Sequence, residues 1–166
     1  GSSPREAYWL DWLEEKPFTT LFADGNHENF DKLNALPVHQ WQGGKVHRIR
    51  PHVLHLMRGQ VFEIDGTTFL AMGGAASHDI QDGVLDPEAP DFEREYWFKR
   101  RTRQMFRVKG VSWWPGELPS EEEYEEAVRI LERASWQVDC ILTHRNCVID
   151  ERFIIQWEQM AELEYE

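Results

Sequence analysis

The sequence predicts an α/β fold, two mixed sheets flanked by helices, and three observations carry that prediction. Residues 61–72 alternate apolar and polar side chains around Asp65-Gly66, the signature of a β-hairpin. Ser120-Glu-Glu-Glu123 is a capping box that opens a helix. Short apolar runs at 18–23, 53–57 and 138–142 have the length and branching of buried strands and stand between these elements.

The elements follow in order. Residues 5–15 read as a helix that buries Trp9, Trp12 and Leu13 on one face, and Pro17 ends it. Residues 18–23 form a core strand that Asp24-Gly25 terminates, and 29–33 form one short helical turn. Residues 41–50 are polar, carry Gly43 and Gly44, and read as irregular chain leading into the strand at 53–57. After the hairpin, 73–79 are a turn-rich loop. Residues 81–119 mix prolines, acids, bases and aromatics without clean periodicity and read as a cap or insertion, with Trp113 and Trp114 as core anchors. The helix from Ser120 places Tyr124, Ala127, Val128 and Leu131 on its buried face and Glu121, Glu122, Glu125 and Glu126 toward water, its early acids complementing the helix dipole. Residues 138–142 are a core strand, and 147–149 with 153–157 form a closing hairpin.

Composition sets the outer limits. A chain of 166 residues with 8 Trp and 9 Phe can bury a sizeable core and is too aromatic for disorder, so 1–166 reads as a single domain. It contains no apolar run near the roughly 20 residues needed to span a bilayer and no leader pattern, so a membrane is not an expected partner and a cytoplasmic location is expected. Cys140 and Cys147 fall in strand-like segments without zinc spacing and read as reduced core thiols. The net charge of −12 argues against nucleic-acid binding by the surface as a whole. Two basic clusters run against that average, one with Lys45, Arg48, Arg50 and Arg58, the other with Lys99, Arg100, Arg101, Arg103, Arg107 and Lys109. They suit a phosphorylated substrate or a nucleic-acid strand, and the plainer reading is two solvated faces.

Chemistry concentrates at residues 20–28, where a strand breaks at Gly25 and delivers Asn26, His27 and Glu28 on a loop held by a sheet. An amide oxygen can bind a hard divalent cation, and an imidazole can protonate a leaving oxygen or hold a phosphoryl group. The bland alternative is an Asx turn beside a solvated histidine. His144 ends an apolar run, a position that by itself reads as a structural histidine at a strand end. Ser77, His78 and Asp79 lie in the loop after the hairpin and are candidates for substrate contact, with capping as the alternative. They are no nucleophilic triad, because adjacent side chains cannot line up the relay.

Asp24-Gly-Asn-His-Glu-Asn-Phe30 resembles the third motif of the calcineurin-like metallophosphoesterases, and residues 43–52, 55–66, 72–79, 110–114 and 139–144 are similar to a bacterial and phage-type branch of them. The resemblance implies a four-layer α-β-β-α sandwich of two mixed sheets with a site at the strand ends. It implies two divalent metal ions, for which carboxylate, amide and imidazole ligands suit manganese, iron or zinc. In this pattern Asn26 is the amide metal ligand, His144 the lone-histidine metal ligand and His27 the catalytic histidine beside a phosphate-ester substrate. The implied activity is hydrolysis of a phosphomonoester or phosphodiester by a metal-activated water. An Asp-x-His, a bridging Gly-Asp and a Gly-His-x-His are absent from the sequence. The expectation is therefore a chain lacking segments before about residue 4 and between 144 and 145. If it is truly truncated, the resemblance implies a non-catalytic phosphate- or partner-binding module of the same fold.

Overall fold

The computed structural model describes residues 3–145. In chain order the elements are α1 (Pro4–Glu14), β1 (Thr20–Phe22), α2 (Phe30–Asn34), β2 (Val38–Trp41), β3 (Gly44–Arg50), β4 (Val53–Leu56), β5 (Gln60–Ile64), β6 (Thr67–Met72), β7 (Val84–Leu85), α3 (Phe92–Arg101), β8 (Arg107–Val108), a 3-10 turn (Pro115–Glu117), α4 (Glu121–Arg133) and β9 (Cys140–Thr143). They form a mixed α/β fold of several sheets flanked by helices. One sheet has the order β1-β4-β3-β2, a second the order β5-β6-β9, and β7 pairs with β8.

The two larger sheets are each mixed for a visible reason. β2–β3–β4 and β5–β6 are antiparallel neighbours joined by tight turns, whereas β1 and β9 arrive from far along the chain and pair parallel with β4 and β6. Asp65 and Gly66 take the positive φ of a two-residue hairpin turn, as the sequence predicts. Gln42 and Gly43 do the same at φ 48° and 89°, so residues 41–50 are not irregular but end one strand and form the next. The two glycines that read as a break have separate uses. Gly43 permits the turn, and a Cβ on Gly44 would stand 2.5 Å from the Phe62 ring, so this strand needs glycine to cross the core.

A core cluster is shared between the sheets. Val46, Leu54 and Leu56 from the first meet Phe62 and Ala71 from the second, all at 0–1 % exposure. Strand alternation then turns His47 and His55, which face each other in register, to the opposite side of the first sheet. A second cluster forms from Phe30 and Leu33 of α2 with Trp114, and the Trp114 indole donates to Asp31 at 3.0 Å. Trp114 is thus the core anchor expected, while Trp113 is only half-buried.

Five elements depart from the sequence reading in what they bury or in being helical. α1 opens on a capping box between Ser3 and Glu6 and buries no residue. Trp9 and Trp12 are 50 % and 42 % exposed. The helix is held instead by Asp11 on Arg50 and Glu14 on His52, contacts that set its rotation and leave Tyr8, Trp9 and Trp12 to pack edge-on against one another. α4 has its predicted capping box and buries Ala127, yet Tyr124 and Val128 face outward at 52 % and 42 % exposure. Its backbone rests on Gly59, where a Cβ would come within 2.7 Å of the Glu123 carbonyl, and Glu126 and Glu123 turn inward onto Lys45 and Arg58. Residues 81–119 contain a helix that periodicity did not reveal, because α3 buries none of its side chains. The strand at 138–142 is shorter and exposed throughout, with Ile141 at 61 % and the Cys140 thiol open, because β9 stands at the edge of its sheet among the described residues. β1 is likewise a half-buried edge strand rather than a core one. Cys147 and the closing hairpin lie outside the described residues. Among those described, no helix is long and apolar enough to cross a membrane.

Candidate functional site

Three loops converge where β1 and β6 end, and a buried carboxylate ties them. Asp24 is 1 % exposed. Its Oδ1 accepts from His55 Nε2 at 2.9 Å, and its Oδ2 accepts from Arg58 Nε at 2.9 Å and Nη2 at 2.5 Å. Arg58 also donates to the Gly116 and Glu117 carbonyls and to Glu123. The Asp24 carbonyl accepts from Gly74 N, and a Cβ on Gly73 would overlap the Asp24 carboxylate, so the loop after β6 can approach only as glycine. Burial pushes the Asp24 carboxyl up, and the hydrogen bonds and charges of His55 and Arg58 outweigh it and hold it below the usual carboxylate range.

On this anchor the next residues build the site. Ser77 Oγ donates its single proton to Glu117 Oε2 at 2.6 Å, while Ser77 N donates to Glu117 Oε1 at 3.1 Å. The Ser77 oxygen can therefore only accept from Asn26, and Asn26 Nδ2 lies 3.1 Å from it. That fixes the amide, and Asn26 Oδ1 is left to accept from His144 Nε2 at 3.2 Å. The His144 ring lies over Gly25, where a Cβ would stand 2.8 Å from it. His27 is exposed beside this corner, its Nε2 3.4 Å from Asn26 Nδ2. Next to His27, Asp79 forms a two-point ion pair with Arg107. The Arg107 hydrogen bonds hold the Asp79 carboxyl below the usual range against a push from burial, and the nearby His27 adds to the lowering.

The structure thus brings together Asn26, Ser77 and His144, sets His27 at their edge, and adds Asp79 through Arg107. His78 is exposed, with no hydrogen bond to the others. Of the two residues that orient Ser77 and Asp79, Glu117 was missed, and Arg107 was named in the sequence only as a member of the second basic cluster. Glu117 sits in a Pro-Gly turn, and its only local signal is a position between two prolines. Three members of the first basic cluster are taken up by ion pairs, Lys45 with Glu126, Arg50 with Asp11 and Arg58 with Asp24, while Arg48 is exposed. In the second, Arg107 and Lys109 pair with Asp79 and Asp86.

A dinuclear metal centre needs carboxylate or imidazole ligands around both ions. Asn26 Oδ1 and His144 Nε2 are two donors, turned on each other. Among the described residues no group of three or more His, Cys, Asp or Glu side chains is arranged to hold a metal ion. The described residues therefore do not fit two metals by themselves.

The floor behind Asp24 carries a pH signature. Burial and the charge of His55 push His47 below its ordinary value of 6.5, with partial compensation from Asp24. The folded chain keeps His47 neutral where the unfolded chain protonates it. Stability from His47 is then complete above pH 6.5 and is lost as pH falls through the folded value. Asp24, lowered from 3.8, contributes stability that is lost only below that pH. Thermal melts from pH 8 to pH 5 are expected to show a decline below 6.5 with a slope of at most about 1.4 kcal/mol per pH unit, and His47→Gln should flatten it. Parallel curves for the two proteins would remove His47 as the cause.

No family model matches the chain, and no curated protein or solved structure matches it.

Proposed function

We propose that this chain is a phosphate-binding module with a metallophosphoesterase-like fold, holding a phosphate ester or phosphorylated partner at the corner of Asn26, His27 and His144. One observation carries the reading: residues 118 apart in sequence meet at 3.2 Å, on an amide whose orientation is fixed by Ser77 and Glu117. A buried amide held in one orientation by its neighbours is the support that a recognition site needs. His27 and His144 are exposed imidazoles at the rim, and Asp79 next to His27 carries the Arg107 guanidinium, so the corner has imidazole donors for phosphoryl oxygens. The core shared by Val46, Leu54, Leu56, Phe62 and Ala71 supports the two-sheet sandwich that this fold requires. The incomplete set of metal donors among the described residues favours binding over hydrolysis.

A second reading, metal-dependent hydrolysis of a phosphate ester, is favoured by the pairing of Asn26 Oδ1 with His144 Nε2, both of them metal-type donors. Calorimetric titration with phenyl phosphate, with and without manganese, and a parallel phosphate-release assay on a monoester and a diester separate the two. Binding without turnover is expected, and Asn26→Ala should weaken it about tenfold, the loss of one charge-assisted contact network. Manganese-dependent turnover that drops by orders of magnitude in His27→Ala would replace the binding reading with the hydrolytic one. Neither binding nor turnover would remove both.

A further inference from the structure

A depression of about 480 Å³ is bordered by the end of α3, β8 and the turn after it, and none of Asn26, His27, Ser77 or His144 lines it. Three guanidiniums line it, those of Arg100, Arg103 and Arg107, and no acidic side chain does. In a chain with 30 acidic and 18 basic residues, this wall opposes the average charge and favours an anion. The volume suits a small organic ligand.

The polar groups of this wall have hydrogens to give. Tyr96 Oη accepts from Arg100 Nη1 at 3.1 Å, which leaves the phenol hydrogen and the other nitrogens of Arg100 as donors. Gln104 Oε1 accepts from Lys99 Nζ at 3.0 Å, which fixes the amide and leaves its Nε2 to donate. Ser112 Oγ accepts from Val108 N at 2.9 Å and keeps its hydroxyl hydrogen. Arg107 engages Asp79 through Nε and Nη2, so its Nη1 stands outside that pair.

Arg103 occupies a position where the backbone favours another residue. α3 closes with Gln104 N on the Lys99 carbonyl and Arg103 N on the Arg100 carbonyl, the two bonds of a Schellman end. Arg103 takes φ 55° there, in the left-handed region that glycine fills most readily. Among the described residues no hydrogen bond or ion pair uses its guanidinium. A backbone position suited to glycine thus carries a charged side chain that the fold does not employ, on the rim of an acid-free depression.

Charge selects the ligand. Asp79 balances Arg107, so Arg100 and Arg103 bring two positive charges without an acidic partner. A phosphate monoester carries about −1.5 to −2 at pH 7 and offers several oxygens to forked donors, whereas a carboxylate or a phosphodiester brings a single charge. Phe106, Val108 and Val111 give the depression an apolar side.

We infer that this depression is a second anion site, which binds the dianionic phosphate of a small monoester on Arg100, Arg103 and Arg107, with the body of the ligand against Phe106 and Val111. It goes beyond the corner of Asn26, His27 and His144 and uses none of those residues.

The test titrates the whole chain with phenyl phosphate and reads the Nε–H signals of the arginines, which report on this site alone. The Arg100 and Arg103 signals are expected to shift to saturation, and the monoanions methyl phenyl phosphate and benzoate to bind there at least tenfold more weakly. Arg103→Gly removes a guanidinium and relaxes the end of α3. It should weaken the site at least tenfold while the melting temperature stays level or rises. Unmoved Arg100 and Arg103 signals, equal affinity for either monoanion, or undiminished binding in Arg103→Gly would each overturn the assignment. A lowered melting temperature in Arg103→Gly would overturn it as well, because Arg103 would then serve the fold. The corner answers in the His27 and His144 signals and in Asn26→Ala, so each reading fails without the other.

Discussion

Arg58→Ala is expected to destabilise the fold by about 3–5 kcal/mol, read as a lowered midpoint in urea unfolding. The Arg58 and Asp24 side chains are 5 % and 1 % exposed, so the pair is desolvated on both sides. Removing the guanidinium strands a buried carboxylate with His55 as its remaining donor and frees the Gly116 and Glu117 carbonyls. The large effect measures an uncompensated charge, not the net worth of the pair. The double change Asp24→Asn with Arg58→Met should therefore cost less than Arg58→Ala alone, because no charge is left unpaired. A loss below about 1 kcal/mol for Arg58→Ala would show that water reaches Asp24 and that it does not anchor the loops.

Glu117→Ala should leave two buried donors of Ser77 without acceptors, at about 1–3 kcal/mol each, and should release Asn26. The more telling variant is Glu117→Gln. A glutamine can still accept from Ser77 N, but its amide nitrogen faces the Ser77 hydroxyl as a donor. The hydroxyl then turns its proton toward Asn26, the amide flips, and Nδ2 instead of Oδ1 meets His144. Stability should stay within about 1 kcal/mol of the parent, while His144 Nε2 changes from donor to acceptor in the nitrogen spectrum and phenyl phosphate affinity falls about tenfold. An unchanged His144 tautomer would mean that Glu117 only packs and does not set the direction of the chain Glu117–Ser77–Asn26–His144.

The same chain of contacts shows what the sequence could and could not convey about the site. Asn26 and His27 were nominated from their residue types and their position after a strand-like run, and His144 through the resemblance to the metallophosphoesterase pattern. The orientation of the amide depends on Glu117, 40 residues beyond Ser77, which carries no local pattern. Asp24 read as half of a turn and proved to be the buried anchor, because its partners His55 and Arg58 come from β4 and the turn after it.

For the fold, the sequence by itself determined the features whose causes lie within a few residues. Asp65-Gly66 makes its hairpin through the backbone freedom of two adjacent positions, and Ser120 with Glu123 satisfies the first amides of α4 locally. Only the tertiary structure decided which faces those elements bury. α1 is turned by Arg50, 39 residues from Asp11, and α4 by Lys45, 81 residues from Glu126. The physical reason is one of range: capping and turn preferences act between neighbours, whereas helix rotation, strand exposure and side-chain proton direction follow from ion pairs and close packing made only once distant segments meet.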